Sequence, residues 1–171
     1  RVGNGYVYCS RHISDDEAIP TLRRNISGEL LTEPRVIKFV AGIRKKFWNK
    51  NCVALGLASG FIEPLESTSI SLIQTGIDKL IVFLGDLLIE QKQVDEANRL
   101  NEAEYSRIRD FIILHYKANQ RDDTQFWRDV RNMTIPDALQ SKIDAFKKDG
   151  TYVEYERESF LESSWISMYN G

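Results

Sequence analysis

Residues 56–70 read Gly-Leu-Ala-Ser-Gly-Phe-Ile-Glu-Pro-Leu-Glu-Ser-Thr-Ser-Ile, and two different patterns meet in this stretch. Before it, short apolar runs alternate with turn residues, which is typical of strands. After it, apolar residues recur at three- and four-residue spacing, which predicts amphipathic helices. The sequence therefore predicts an α+β fold in which residues 1–67 supply strands and residues 68–171 form a mainly helical subdomain.

Local signals place the other elements. Ser14 and Glu17 have the spacing of a capping box, so a helix is expected from about residue 15 to residue 25. Pro136 and Gly150 suit the start and the end of another helix. Further helices are predicted over residues 68–91, 94–119 and 124–131, and residues 159–168 form a final apolar–polar segment. Strands are predicted over residues 5–10, 35–40, 51–56 (buried on both faces) and 151–156. So few short strands make a poor sheet alone, and they are expected to need further partners.

Composition argues against several functions. The net charge is −2 and the two signs are interspersed, so neither nucleic acid nor an acidic membrane is expected as a partner. No apolar run approaches the ~18 residues of a membrane-spanning helix. The chain opens without a signal-peptide core, and Cys9 and Cys52 form no CxxC pair, so we expect a cytoplasmic protein with two thiols. His12 and His115 lack metal-ligand spacing, which predicts no metal site.

One predicted helix has a distinct apolar face. In the helix over residues 94–119, Tyr105, Ile108, Ile112 and His115 share one side. Asp110 is expected to lie largely outside that face. We interpret His115 as a core residue with satisfied hydrogen bonds.

Glu66, Ser67, Thr68 and Ser69 form the entrance to the first long helix. The first N–H groups of a helix have no partners within it, and the helix dipole favours negative charge there. The amides of Thr68 and Ser69 are therefore candidate donors to a small anion. Pro64 stiffens the approach and presents Glu66 from a fixed loop. An ordinary helix cap explains the same residues, so this pattern alone leaves both interpretations open.

The same stretch closely resembles the most distinctive segment of the flavin-dependent tryptophan halogenases, usually written G-L-A-S-G-F-[LI]-E-P-L-E-S-T. Three other segments of the chain are similar to that family. Residues 3–18 resemble the part that follows its W-x-W-x-I-P motif, and residues 39–48 resemble F-x-x-G-R-x-x-x-x-W, with Ile43 where arginine is common. Residues 122–127 resemble D-D-[ST]-x-F-W. The resemblance thus covers essentially the whole chain and corresponds to the C-terminal half of such an enzyme.

The resemblance implies roles for five residues. Glu66 corresponds to the catalytic carboxylate, and the amides of Thr68 and Ser69 to the halide site, where many family members have glycine in place of Ser69. Ser67 corresponds to a serine close to the flavin and the halide. Gly56 and Thr68 are further expected cofactor contacts. The strands of residues 1–67 would then complete a flavin-monooxygenase-like domain.

The resemblance also implies a chemistry that needs more than this chain. Reduced FAD, supplied by a separate flavin reductase, forms a flavin hydroperoxide with dioxygen, and this oxidises chloride or bromide. The electrophilic halogen then reaches an aromatic ring beside Glu66. The family's dinucleotide-binding GxGxxG turn, its W-x-W-x-I-P motif and its essential lysine are not in this sequence. We therefore expect the missing N-terminal half to be a partner, a homodimer to be an open possibility, and the fragment alone to be inactive.

The substrate is expected to differ from free tryptophan. Aligning the family's substrate-binding tryptophan on Trp165 places Phe160 where the glutamate that binds the amino group would be. Without that glutamate a buried ammonium group would be poorly paired, which is costly. We predict an indole or another electron-rich arene, with Phe160 and Trp165 as substrate contacts, although a core role for Trp165 is an equal alternative. A flavin-dependent monooxygenase and a non-catalytic helical interaction module are the other functions that the sequence leaves open.

Overall fold

The computed structural model describes residues 3–85 and 89–170. Helix α1, Asp15–Arg24, begins where the sequence predicts, because Ser14 and Glu17 form the expected capping box. The backbone N–H and the hydroxyl of Ser14 both donate to Oε2 of Glu17, at 2.9 and 2.7 Å.

In the part of the chain that the structure describes, four very short strands form two antiparallel pairs. Strands β1, Gly42–Ile43, and β4, Gly60–Phe61, pair with Gly42 opposite Phe61 and Ile43 opposite Gly60. Strands β2, Trp48–Asn49, and β3, Cys52–Val53, form the second pair. Two short 3₁₀ turns, Gly56–Ala58 and Leu65–Ser67, flank β4 and carry the chain into the helical part.

Five helices follow among the described residues, and the longest of them lies at the centre. They are α2, Ser69–Phe83; α3, Gln91–Ala118; α4, Gln125–Asn132; α5, Asp137–Asp149; and α6, Glu162–Tyr169. The first four of these helices follow the predicted order, and α5 ends at Gly150 in the left-handed conformation (φ 78°) as its sequence indicates. Helix α6 lies in the predicted final apolar–polar segment.

Helix α3 contributes to three hydrophobic clusters of the described residues and so organises their core. The first joins β2 to α3 through Trp48, Val94 and Ala97. The second packs Leu72 of α2 against α3, and the third packs Leu139 and Trp165 against it from α5 and α6. The α3 residues of the last two clusters are Tyr105, Ile108, Ile112, Phe111 and Leu114.

Polar contacts fix the register of α3 against its neighbours. The side chain of Asn98 accepts from the backbone N–H of Trp48 at 2.7 Å and donates to its carbonyl at 2.9 Å. Lys79 of α2 forms a buried ion pair with Glu104 of α3, and Thr75 donates to the same carboxylate at 3.0 Å. These bonds hold the strand part and α2 at defined positions on α3, which positions the segment between them.

Several predicted strands are wrong. Residues 5–10, 35–40 and 151–156 are irregular, and only Cys52 and Val53 of residues 51–56 are in a strand. Cys52 is exposed and Val53 half-buried, so the predicted two-sided burial is also wrong. The reason is visible at Val40 and Ile37, which are 93% and 70% exposed: within the described chain these apolar residues have no sheet to join.

One further prediction needs correction. Helix α2 ends at Phe83 and not near residue 91; the part of the prediction that covers residues 86–88 lies outside the described residues. Asp110 is only 1% exposed, and the guanidinium of Arg109 donates to its Oδ1 at 2.7 Å. Helical spacing nevertheless places Asp110 on the side of α3 away from Tyr105 and Ile112, outside the apolar face as predicted. Cys9 and Cys52 are free thiols, as predicted. Among the described residues, no helix is both long enough and apolar enough to cross a membrane.

Candidate active site

The carboxylate of Glu66 is presented by a strained turn. Glu66 has φ 67° and ψ −7°, and Ser67 follows with φ 51°, so two consecutive non-glycine residues have left-handed backbone conformations. Such residues are uncommon and unfavourable by roughly 1–3 kcal/mol each, and they persist where the surrounding structure holds them. The N–H of Ser67 donates to the carbonyl of Pro64 at 3.1 Å, which closes the turn. The predicted stiff approach through Pro64 is therefore present, and it places Glu66 at the start of α2.

Glu66 is paired with a residue from the other side of the site. Its Oε1 lies 2.8 Å from Nε2 of His115, near the end of α3. The Nδ1 of the same ring lies 2.9 Å from the carbonyl oxygen of Phe111, one helical turn earlier. The side chains of Glu66 and His115 are 33% and 18% exposed. The prediction that His115 has satisfied hydrogen bonds is confirmed, but its partner is the candidate catalytic carboxylate.

The other carboxylate of the motif has a different partner. The hydroxyl of Tyr116 donates to Oε1 of Glu63 at 2.8 Å. Burial, reinforced by this carboxylate, raises the pKa of Tyr116, so the phenol stays protonated at neutral pH. Neighbouring residues of α3, His115 and Tyr116, thus hold the two carboxylates in place, and the two carboxylates have different surroundings.

An open cleft of about 340 Å³ adjoins Glu66. Its walls come from the helix entrance, from α3 and from α6: Glu66, Phe111, Ser163, Ser164, Ser167 and Met168. The volume suits a small aromatic molecule. The cleft therefore combines one carboxylate, that of Glu66, with two other kinds of surface. Phe111 and Met168 supply apolar surface, and the serines of α6 supply hydroxyl groups.

The predicted substrate contacts lie behind this cleft. Phe160 is half-buried and stacks on Phe111 with ring centroids 3.9 Å apart. Trp165 is 0% exposed, with its ring edge-on to Phe111 at 4.9 Å and the ammonium group of Lys142 4.2 Å from its centroid. Burial favours the core role for Trp165 over direct stacking on a substrate. Of these three aromatic residues, Phe111 lines the cleft, and Phe160 packs against the Phe111 ring without lining the cleft itself.

The remaining predicted residues surround the start of α2. Ser67 is exposed, and Thr68 and Ser69 are half-buried. Gly56 has φ 59°, and a Cβ there would lie 3.3 Å from the side chain of Ile73, so the turn itself requires glycine. The structure thus brings Glu66, Ser67, Thr68 and Ser69 together.

Sequence reasoning missed His115 and Phe111 as members of the site. His115 follows Phe111 by one helical turn on a face that is otherwise apolar, and a polar residue there is the signal that was available. In residues 3–85 and 89–170 no group of three or more His, Cys, Asp and Glu side chains is arranged to hold a metal ion.

Comparison with known proteins identifies the family. The family model for tryptophan halogenase matches residues 1–171. This chain belongs to the tryptophan halogenase family. The resemblance that the Glu66 segment carries is thereby confirmed, as is the helix-rich α+β character of the fold.

Individual halogenases agree with this assignment. The chain is 37% identical over 150 residues to the tryptophan 6-halogenase SttH from Streptomyces toxytricini, covering 86% of this chain and 28% of that protein. It is 36% identical over 148 residues to the 7-chloro-L-tryptophan 6-halogenase KtzR from Kutzneria sp. (strain 744), covering 86% and 29%. The structure of BrvH, a flavin-dependent halogenase from Brevundimonas sp. BAL3, superposes with a TM-score of 0.91 at 49% identity, covering 95% of this chain and 33% of that one. The chain therefore spans about a third or less of the length of these relatives.

Proposed function

We propose that this chain forms the part of a flavin-dependent halogenase that carries the catalytic carboxylate, Glu66, and the halide site. The observation that carries the proposal is the position of Glu66, which a strained turn holds at a helix entrance on one side and at a cleft lined by Phe111, Met168 and serine side chains on the other. An ordinary helix cap does not explain this geometry, because the N-cap residue Thr68 makes no capping hydrogen bond with its side chain.

The start of α2 suits a halide ion. The amides of Thr68 and Ser69 lie where a helix begins and its dipole is positive. The first turn of α2 contains no acidic residue that would compete with an anion. We propose these two amides as the halide donors. Chloride and bromide are both suitable occupants, since the donors are backbone groups.

The residues present fit the edge of a flavin ring. Ser67 is exposed and Thr68 is partly exposed beside Glu66, so both can meet a flat polar ring edge. Gly56, which is expected at the same site, supports the turn through its positive φ and its contact with Ile73. When bound, reduced FAD supplies, with dioxygen, the oxidant for the halide. A separate flavin reductase would provide the reduced cofactor.

Glu66 is placed for acid–base work on the substrate. Its Oε1 is occupied by His115, which leaves Oε2 for a ligand in the cleft. A carboxylate at this position can polarise the halogen donor or accept the proton that the ring carbon loses on halogenation. Such general acid–base assistance typically contributes ~10²–10⁴ in rate.

The cleft favours a neutral aromatic substrate. Of the described residues that line it, only Glu66 carries a charge, and Ser163, Ser164 and Ser167 offer neutral hydroxyl groups. The nearby carboxylate of Glu158 is buried in an ion pair with Lys142 and is not available to an ammonium group. An indole or another electron-rich arene therefore suits this cleft better than free tryptophan, whose ammonium and carboxylate need partners.

A further part of the halogenase is proposed to cover the apolar surface of α2. Ile70, Ile73, Ile77 and Ile81 follow each other along one side of this helix and are 71%, 37%, 41% and 68% exposed. Residues 36–40 expose more apolar surface before β1. Patches of this kind normally mark an interface. We assign these surfaces to the N-terminal part of the enzyme, which would also bring the dinucleotide-binding turn and the lysine.

The test uses the intact halogenase that contains this chain. The enzyme is given reduced FAD, bromide and a panel of simple indoles together with free tryptophan, and products are identified by mass spectrometry. We expect brominated indoles, with turnover faster than that of tryptophan. Glu66→Gln is expected to reduce bromination by ~10²–10⁴-fold. Glu63→Gln is the matched control, because it changes the other carboxylate of the motif, which contacts Tyr116 and not His115.

Three outcomes would contradict the proposal in different ways. Hydroxylated products that do not depend on bromide would indicate a monooxygenase. Flavin binding without any product would favour a non-catalytic role. Faster turnover of free tryptophan than of indoles would leave the halogenase function intact but would refute the proposed substrate class.

A further inference from the structure

The hydrogen bonds of His115 determine which of its nitrogens carries a proton. Nδ1 lies 2.9 Å from the carbonyl oxygen of Phe111. A carbonyl oxygen only accepts hydrogen bonds, so Nδ1 must be the donor and must carry hydrogen. In a neutral imidazole the other nitrogen, Nε2, then has a lone pair and no hydrogen.

The contact with Glu66 therefore requires an additional proton. Nε2 lies 2.8 Å from Oε1 of Glu66, which is a hydrogen-bond distance. A lone pair on Nε2 and an ionised carboxylate would both be acceptors and would repel each other. One proton must lie between them, either on the imidazole beside a carboxylate or on the carboxylic acid beside a neutral ring.

We propose that His115 is a positioning residue that keeps one proton on the Glu66–His115 pair and aims the free oxygen of Glu66 into the cleft. This proposal rests on the function proposed for Glu66. It goes further by assigning a role to a residue of α3 that the motif does not contain. Removing the ring would free the Glu66 side chain and take the shared proton away.

The surroundings of His115 make it a rigid support. Its ring is edge-on to Phe111, with centroids 4.8 Å apart, and its side chain is 18% exposed. Phe111 is itself 2% exposed and lines the cleft. The imidazole ring of His115 thus connects the strained turn at Glu66 to α3. A shift of the His115 ring would therefore move the Glu66 carboxylate.

The kinetic test is a double-mutant cycle in the intact halogenase. His115→Phe keeps an aromatic ring but removes both hydrogen bonds, and His115→Gln retains an amide donor toward Glu66 without a transferable proton. We expect His115→Phe to lower kcat by ~10²-fold with KM changed by less than about threefold, and His115→Gln to lower it by about tenfold. In a Glu66→Gln background, adding His115→Phe should change the residual kcat by less than about twofold, because the two residues act as a unit.

The control is the other histidine of this chain. His12 lies far from Glu66 in sequence. Its ring is edge-on to that of Phe126, with the ring centroids 5.4 Å apart. We expect His12→Phe to leave kcat unchanged. Equal losses from His115→Phe with and without Glu66 would show a merely structural role and would overturn the proposal, as would an unchanged kcat in His115→Phe. If the wild-type enzyme itself showed no halogenation, the proposed function would be refuted instead.

A second measurement tests the pair without any activity. Nitrogen-15 NMR of histidine side chains in the intact protein, assigned by comparison with His115→Phe, reports which ring nitrogen is protonated. We expect a proton on Nδ1 of His115 both in the wild type and in Glu66→Gln. A ring that is unprotonated at Nδ1 and protonated at Nε2 would overturn the proposal even if Glu66 is catalytic.

Discussion

Lys142 and Glu158 form an ion pair that the C-terminal core encloses, with Nζ 2.5 Å from Oε1 and the two side chains 0% and 4% exposed. Nζ also donates to the carbonyl of Val153 and lies 4.2 Å from the centroid of the Trp165 ring. Burial lowers the pKa of Lys142, and Glu158 opposes that effect. The pair thus ties α5 to the segment before α6, directly behind the wall of the cleft.

Breaking this buried pair is expected to destabilise the protein strongly. Lys142→Met leaves the carboxylate of Glu158 buried without its partner, and Glu158→Gln leaves an unpaired ammonium group; each should lower the free energy of unfolding by about 3–5 kcal/mol. Chemical denaturation measures the change. Arg99→Met is the matched control, because Arg99 pairs with Glu156 on the surface and its loss should alter stability little. A Lys142→Met protein as stable as the wild type would contradict the prediction.

Gly60 is expected to tolerate no side chain. A Cβ at this position would lie 2.9 Å from the carbonyl oxygen of Gly42 and 2.9 Å from Cγ2 of Ile43, so β1 and β4 would have to separate. Gly60→Ala should reduce stability by about 1–3 kcal/mol and should lower halogenation, since β4 leads into the Glu66 turn. Gly42→Ala, in the paired strand, meets no described atom within 4 Å and is the control. Equal effects of the two substitutions on the unfolding midpoint would refute this explanation.

Elements with local signals could be predicted from the sequence, whereas elements that depend on distant partners could not. Helix α1 follows from the capping box of Ser14 and Glu17, and the end of α5 follows from Gly150. These signals act within one turn of backbone. The apolar run at residues 35–40 has strand-like composition, but a strand needs a neighbour, and the described chain supplies none.

The site shows the same division. The helix entrance at Glu66 could be predicted because its residues are consecutive, and the family resemblance added its chemistry. The contact between Glu66 and His115 could not, because it depends on how α2 and α3 pack together. Trp165 illustrates the converse: its residue type suits substrate stacking, but the fold buries it completely between Phe111 and Lys142.

Glycine at position 67 is expected to stabilise the fold while weakening catalysis. Ser67 has φ 51°, a conformation that glycine adopts without penalty, so Ser67→Gly should raise the free energy of unfolding by about 1 kcal/mol. The freer turn should hold Glu66 less firmly and lower kcat. Ser71→Gly, in the regular helix α2, should instead lower stability by about 0.5 kcal/mol. Denaturant unfolding of both variants measures whether the free energy of unfolding rises or falls. Destabilisation by Ser67→Gly would argue that the turn is not strained.

Tyr152 is expected to make stability fall at alkaline pH. Burial, together with the nearby carboxylate of Glu158, raises its pKa to about 12 from 10.0. Because the folded state binds this proton more tightly than the unfolded state, its contribution is complete below pH 10 and is lost as the pH rises toward 12. The pKa of Lys142 is lowered, so its titration makes stability rise with pH up to its ordinary pKa of 10.5. The informative comparison is therefore with Tyr152→Phe, which keeps Lys142 and removes only the titrating phenol. Urea denaturation between pH 8 and pH 11 should show a steeper loss of stability for the wild type than for Tyr152→Phe, and identical slopes would exclude Tyr152 as the titrating group.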